Sequence, residues 1–238
     1  MLSRASLSPA RRPVTDLLLA GAPLDAARGA VVLVHGRGAT ADSILALGRE
    51  LGDGLTLVAP QAPAVGGVPQ WYPHSFLAPL DANQPWLERA LDAVGRAVAH
   101  AEAGGVERAR IAVGGFSQGA CLGLEFVARA GGRWGGAFAL SGALIGTGPG
   151  AAGAPALRGA GGLFPDKAFD YPSDLAGTPV FLGCGDPDPH VPAARVERSA
   201  AVLRALGAEV DARLYPGLGH TVARDELDAV HALLARGT

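Results

Sequence analysis

The chain has 238 residues, 49% of them hydrophobic and 18% charged, enough for one large α/β domain with a sizeable core. A net charge of −2 and a pI near 6.3 give no reason to expect nucleic acid or an anionic membrane as a partner. No apolar run approaches the ~20 residues of a membrane span, and Cys121 and Cys184 lack metal-ligand spacing and are expected as reduced thiols.

Met1 to Pro13 is polar and has no signal-type apolar core, so residues 1–13 are expected as a disordered tail to a cytoplasmic domain covering 14–238. Leu17 to Ala20 fits an edge strand. Ala30-Val-Val-Leu-Val-His35 is a continuous apolar run, the pattern of a strand covered on both faces. Gly36-Arg-Gly38 follows, and Thr40 or Asp42 can cap a helix to about Leu51. Leu55 to Ala59 reads as the next strand, stopped by Pro60. Gln61 to Gln84 reads as irregular and carries Trp71, Tyr72, His74 and Phe76. Pro85 suits a first helical residue, and Leu87, Ala90, Leu91, Val94 and Val98 form one apolar face of a helix to about Ala103.

Further strands are expected at Ile111–Val113, Gly136–Ser141, Pro179–Gly183 and Val210–Tyr215. Helices are expected from Gln118, over about Ala193–Leu206, and over about Asp225–Leu234. The Gly/Ala/Pro-rich stretch from Gly142 to Gly177 is the longest connection, readable as a flap or as a static loop. Repeated strand–helix units imply one mostly parallel sheet with helices on both faces and no large cap domain.

The segment Gly115-Phe-Ser117-Gln-Gly119 places a G-x-S-x-G at a strand-to-helix turn, where it forms a nucleophile elbow. The sharp turn crowds the positions two before and two after the serine, so glycine is needed at both. A serine hydroxyl is a weak nucleophile until an imidazole takes its proton, and that imidazole needs a carboxylate to fix its tautomer. Only His220 follows the serine in a loop directly after a strand. His35, His74 and His100 precede it, His190 shares a loop with the aspartates, and His231 falls within the last helix. The order Ser, Asp, His is that of an α/β-hydrolase.

Spacing does not separate Asp186 from Asp188, since both follow the same strand and each precedes a proline. The loop His35-Gly-Arg-Gly-Ala-Thr40 can supply the backbone N–H of Arg37, which with that of Gln118 would hold the oxyanion of a tetrahedral intermediate. Trp71, Tyr72 and Phe76 can line a substrate pocket or anchor their loop. Asp186-x-Asp-x-His190 is stiffened by Pro187 and Pro189, with no further ligand cluster, so no metal is expected. Cys121 lies one helical turn past Ser117 and reads as a packing residue.

Together, Leu33-Val-His-Gly-Arg-Gly38, Ala62-Pro63 followed by Trp71-Tyr-Pro73, Gly115-Phe-Ser-Gln-Gly119, Asp188-Pro-His-Val-Pro192 and Tyr215-Pro-Gly-Leu-Gly-His220 resemble the phospholipase/carboxylesterase family of α/β-hydrolases, which includes acyl-protein thioesterases. The resemblance implies cofactor-free serine esterase chemistry on a small-molecule ester, with Ser117 as nucleophile, His220 as base and Asp188 as acid. It also implies Arg37 and Gln118 as oxyanion donors. Arg37 stands where eukaryotic thioesterases carry leucine, so their lipidated-protein substrates are not carried over. Short to medium acyl chains are expected, and a homodimer is allowed. Lysophospholipase or thioesterase activity and a silent ligand-binding scaffold are the alternatives.

Overall fold

Seven segments pair side by side in the computed structural model of the chain, which describes residues 17–153, 156–159, 161–172 and 174–237. They are β1 (Leu17–Gly21), β2 (Gly29–Val34), β3 (Leu55–Pro60), β4 (Ile111–Phe116), β5 (Gly136–Leu140), β6 (Pro179–Asp186) and β7 (Glu209–Pro216). The order across the sheet is β1-β3-β2-β4-β5-β6-β7, with β1 antiparallel to β3 and every other pair parallel. Every residue of β2, β3 and β5 is buried, as continuous apolar runs require when both sheet faces are covered.

Among the described residues, five helices cover those faces: α1 (Ala41–Gly48), α2 (Trp86–Ala103), α3 (Gln118–Ala130), α4 (Ala193–Ala205) and α5 (Arg224–Gly237). Alternation along each strand sorts the core into two layers. Val32, Val34, Val58 and Val113 point into one layer with Leu87 and Val94 of α2, Leu122 of α3, and Val196 and Leu203 of α4. Val31, Leu33, Leu57 and Phe138 point into the other, with Ile44 and Leu45 of α1 and Val230 and Leu234 of α5. Thr40 caps α1 as expected, in a reciprocal box with Ser43.

Differences from the sequence reading are local. Helix α1 stops at Gly48, because the N–H groups of Glu50 and Leu51 turn to the carbonyls three residues back. Strand β6 runs on to Asp186, three residues beyond the expected end, since its pairing with β7 continues through Gly185↔Tyr215 and Asp186↔Pro216. Only glycine fits at 185, where a Cβ would press on the Gly219 carbonyl of the loop after β7. The stretch after β3 holds a small hairpin, Ala64–Val65 with Val68–Pro69, and a 3₁₀ turn at Leu80–Asn83. The connection after β5 folds into two short antiparallel pairs, Gly148–Pro149 with Lys167–Ala168 and Leu157–Gly159 with Gly162–Phe164. The tail expected over residues 1–13 lies outside the described residues. Among the described residues no helix is long and apolar enough to cross a membrane.

Candidate active site

Parallel register brings the carboxyl ends of β2, β4, β5, β6 and β7 to one edge of the sheet, where polar loops collect. Ser117 sits between the end of β4 and the start of α3 with φ 55° and ψ −121°, a conformation that costs a non-glycine residue on the order of 1–3 kcal/mol. The surroundings enforce it. A Cβ on Gly115 or on Gly119 would land on the carbonyl oxygen of Val34 at the end of β2, so the turn can close only with glycine at both positions. The Ser117 N–H donates to Leu140 O at 2.9 Å, pinning the turn to β5.

His220 reaches over from the loop after β7. Its Nε2 lies 2.8 Å from Ser117 Oγ and its Nδ1 2.7 Å from Asp188 Oδ2. The ring is held between Phe116, at 5.0 Å between centroids, and His190, at 4.7 Å. Asp188 Oδ1 accepts from the N–H groups of His190 and Val191 at 2.7 and 3.0 Å. Burial alone would raise the Asp188 carboxyl, but the bonds from His220 and the two N–H groups outweigh it and bring the pKa down to about 2. Asp186 takes no part. It is exposed at the strand end, and its main-chain carbonyl, rather than its side chain, holds the turn by accepting from Gly217 N–H.

Arg37, in the loop after β2, and Gln118, in the first turn of α3, both line the cleft, and neither backbone N–H donates to a protein acceptor among the described residues. Their side chains do something the sequence did not reveal. The Arg37 guanidinium bonds the side-chain oxygen of Gln70 and the carbonyls of Tyr72, Pro73 and His74, the last three at 3.0, 2.8 and 3.1 Å. Gln118 accepts from Trp71 N–H at 2.9 Å and donates to Tyr72 O at 2.7 Å. One segment, residues 70–74, is thus fastened from both sides.

His35 ties the loop after β2 to the start of the connection after β3. Its Nδ1 bonds Gly36 O at 2.8 Å, its Nε2 accepts from Ala62 N–H at 3.1 Å, and burial holds its pKa low, in the neutral form those bonds need.

The cleft encloses about 460 Å³ and is lined by Tyr72, Phe76, Phe116, Cys121 and Val191 beside the polar groups. Trp71 is not on its wall; it lies beneath, with its indole N–H on the His35 carbonyl at 2.8 Å and its ring against His35. None of the described residues of 142–177 forms a wall either. That connection braces the cleft from behind, where Lys167 Nζ donates to Phe76 O. Cys121 is buried, and burial pushes its thiol up to about 12, which makes it unreactive. Among the described residues no three His, Cys, Asp or Glu side chains cluster as a metal site would require.

A mostly parallel, helix-covered sheet with a serine at the β4–α3 elbow is the architecture of an α/β-hydrolase. The chain belongs to the phospholipase/carboxylesterase family, whose model matches residues 20–152. A phospholipase/carboxylesterase from Dyadobacter fermentans is 39% identical, with 92% of this chain and 96% of that one covered and a TM-score of 0.78. Esterase PE8 is 29% identical over 94% and 99% of the two chains, with a TM-score of 0.71. Acyl-protein thioesterase 1 of Gibberella zeae is 34% identical over 133 residues, 56% of this chain and half the length of that protein. The Neurospora crassa protein of the same name is 28% identical across 86% of this chain and 84% of its own.

Proposed function

We propose that the protein is a serine hydrolase that cleaves carboxylic esters of short to medium acyl chains through an acyl-enzyme. The observation that carries this reading is the unbroken hydrogen-bonded line from Ser117 Oγ through His220 to Asp188, at 2.8 and 2.7 Å, opening on a cleft. In this reading His220 Nε2 takes the Ser117 proton as Oγ attacks the ester carbonyl, and Asp188 holds the imidazole in the right tautomer and steadies its charged form. The N–H groups of Arg37 and Gln118 receive the oxyanion. Collapse expels the alcohol, which takes the proton back from His220, and a water then repeats the sequence to release the acid.

Two relatives named acyl-protein thioesterase favour thioesters as a second substrate class, since the same attack releases a thiol. A silent binding scaffold would have no need of a serine held at φ 55° against a histidine. Ser117→Ala is expected to abolish turnover of p-nitrophenyl acetate while the thermal midpoint stays within a few degrees, and a phosphonate is expected to label Ser117 alone. An active alanine variant, or labelling at another serine, refutes the assignment.

A further inference from the structure

In the proposed reaction the expelled alcohol takes its proton from His220, so the leaving group must lie where the His220 ring meets the cleft. Two aromatic rings bracket that place. Phe116 stands 5.0 Å from His220 between centroids and offers no polar side-chain atom to a bound alcohol. His190 stands at 4.7 Å and 67° to the His220 ring, lines the cleft and is exposed. No hydrogen bond from the described residues reaches its ring nitrogens, and the proposed triad does not use them.

The main chain sets where this imidazole sits. The His190 N–H donates to Asp188 Oδ1 at 2.7 Å, and buried Val191 donates to the same oxygen at 3.0 Å. Pro189 and Pro192 stiffen the run on either side. The backbone that fixes the acid therefore also fixes where the His190 side chain begins. Any residue but proline at 190 keeps the bond to Asp188. An imidazole carried on so rigid a segment loses little freedom on meeting a ligand.

The rest of the lining decides the charge of the alcohol. Among the described residues no aspartate or glutamate lines the cleft, and the side chains there that can carry charge at neutral pH are Arg37, His74, His190 and His220. The Arg37 guanidinium is bonded to four neutral oxygens, and no carboxylate of the described residues lies within ion-pair distance of it. Asp188 has a fully buried side chain, already occupied by His220 and two N–H groups. A cationic alcohol would find no free counter-charge here, whereas an anionic one finds donors. We infer that His190 is a specificity-determining residue whose ring N–H donates to a carboxylate carried by the leaving group, so that the preferred substrates are short hydroxy acids acylated on their hydroxyl. This rests on the hydrolase reading. His190 binds the alcohol and carries no proton in the reaction; its ring keeps an N–H donor in either tautomer.

The test compares the acetate ester of γ-hydroxybutyrate with isohexyl acetate, in which an isopropyl group of similar shape replaces the carboxylate. Both are followed by proton release in a pH-stat at neutral pH, and each rate is divided by that of the spontaneous reaction with hydroxide. The chain is expected to favour the charged ester about fivefold in kcat/KM, chiefly through KM, the scale of one hydrogen bond to a charged group in a half-open cleft. His190→Leu is expected to bring that ratio close to one, and His190→Gln, which keeps an N–H donor, to restore part of it. A ring that serves only to steady His220 would lower both rates together and leave the ratio unchanged. Monoethyl glutarate against ethyl isoheptanoate puts the same carboxylate on the acyl side, where His190→Leu is expected to leave the ratio unmoved. A parent ratio at or below one, a ratio that His190→Leu does not lower, or a His190-dependent preference that shifts to the acyl side overturns the inference while leaving the hydrolase reading intact. No turnover of any of these esters, nor of p-nitrophenyl acetate, overturns both.

Discussion

Replacing Asp188 with asparagine is the sharpest perturbation of the proposed triad, because the surroundings dictate how the new amide must sit. Asp188 Oδ1 accepts two backbone N–H groups, so the amide oxygen stays on that side and the NH₂ is forced toward His220 Nδ1. Two donors cannot face each other, and the imidazole must shift its proton to Nε2. Nε2 then donates to Ser117 Oγ and can no longer accept from it. The same exchange in a serine protease costs on the order of 10⁴ in kcat, equivalent to about 5.5 kcal/mol of barrier. A comparable loss is expected here, measured as kcat on p-nitrophenyl acetate. Stability should fall by only about 1 kcal/mol, or ~2–4 °C in Tm, because the two N–H bonds persist but lose their charge assistance. Asp186→Asn, at an exposed position, is the control and should change kcat no more than about twofold. If Asp186→Asn proves the more damaging, or Asp188→Asn keeps a tenth of the parent rate, the assignment of the acid is wrong.

Three further outcomes follow from the same geometry. The Asp188 carboxyl ionises near 2, below the ordinary 3.8, so its contribution to stability is complete above pH 4 and is lost as pH falls from about 4 toward 2. At most about 2 kcal/mol is involved, and Asp188→Asn should show a shallower fall of Tm over pH 5 to 3 than the parent; parallel slopes would contradict this. Gly119→Ala sets a methyl against the Val34 carbonyl oxygen and is expected to cost about 3 kcal/mol or more, read by thermal unfolding, whereas a Tm near the parent's would show that the elbow relaxes freely. With a cleft of about 460 Å³ and no wall from the described residues of 142–177, butyryl esters should be cleaved faster than palmitoyl esters, and the opposite ranking would require a longer channel than the one described.

The parts legible in the sequence are those whose cause is local. The runs Ala30–Val34 and Ile111–Val113 announce buried parallel strands because every side chain in them is apolar. The elbow is legible because the turn itself demands glycine on both sides of Ser117. The choice between Asp186 and Asp188 was not local. It follows from β6 pairing with β7 as far as Pro216, which leaves Asp186 at the exposed strand end while the chain folds Asp188 back under His220. Trp71 reads as a candidate wall residue, yet its indole N–H is drawn below the cleft to the His35 carbonyl. The reach of the Arg37 side chain was illegible because three of its four acceptors are main-chain carbonyls, which any residue supplies.

That anchoring of residues 70–74 has a consequence for altering specificity. The two residues proposed to receive the oxyanion also carry the side chains that fasten the segment leading into Phe76. A wall that grips one acid better cannot be redesigned without tugging on the proposed oxyanion donors. Loop grafts confined to residues 70–76 should therefore trade selectivity against turnover. Grafts that carry positions 37 and 118 with the loop transplant the whole unit and escape that penalty.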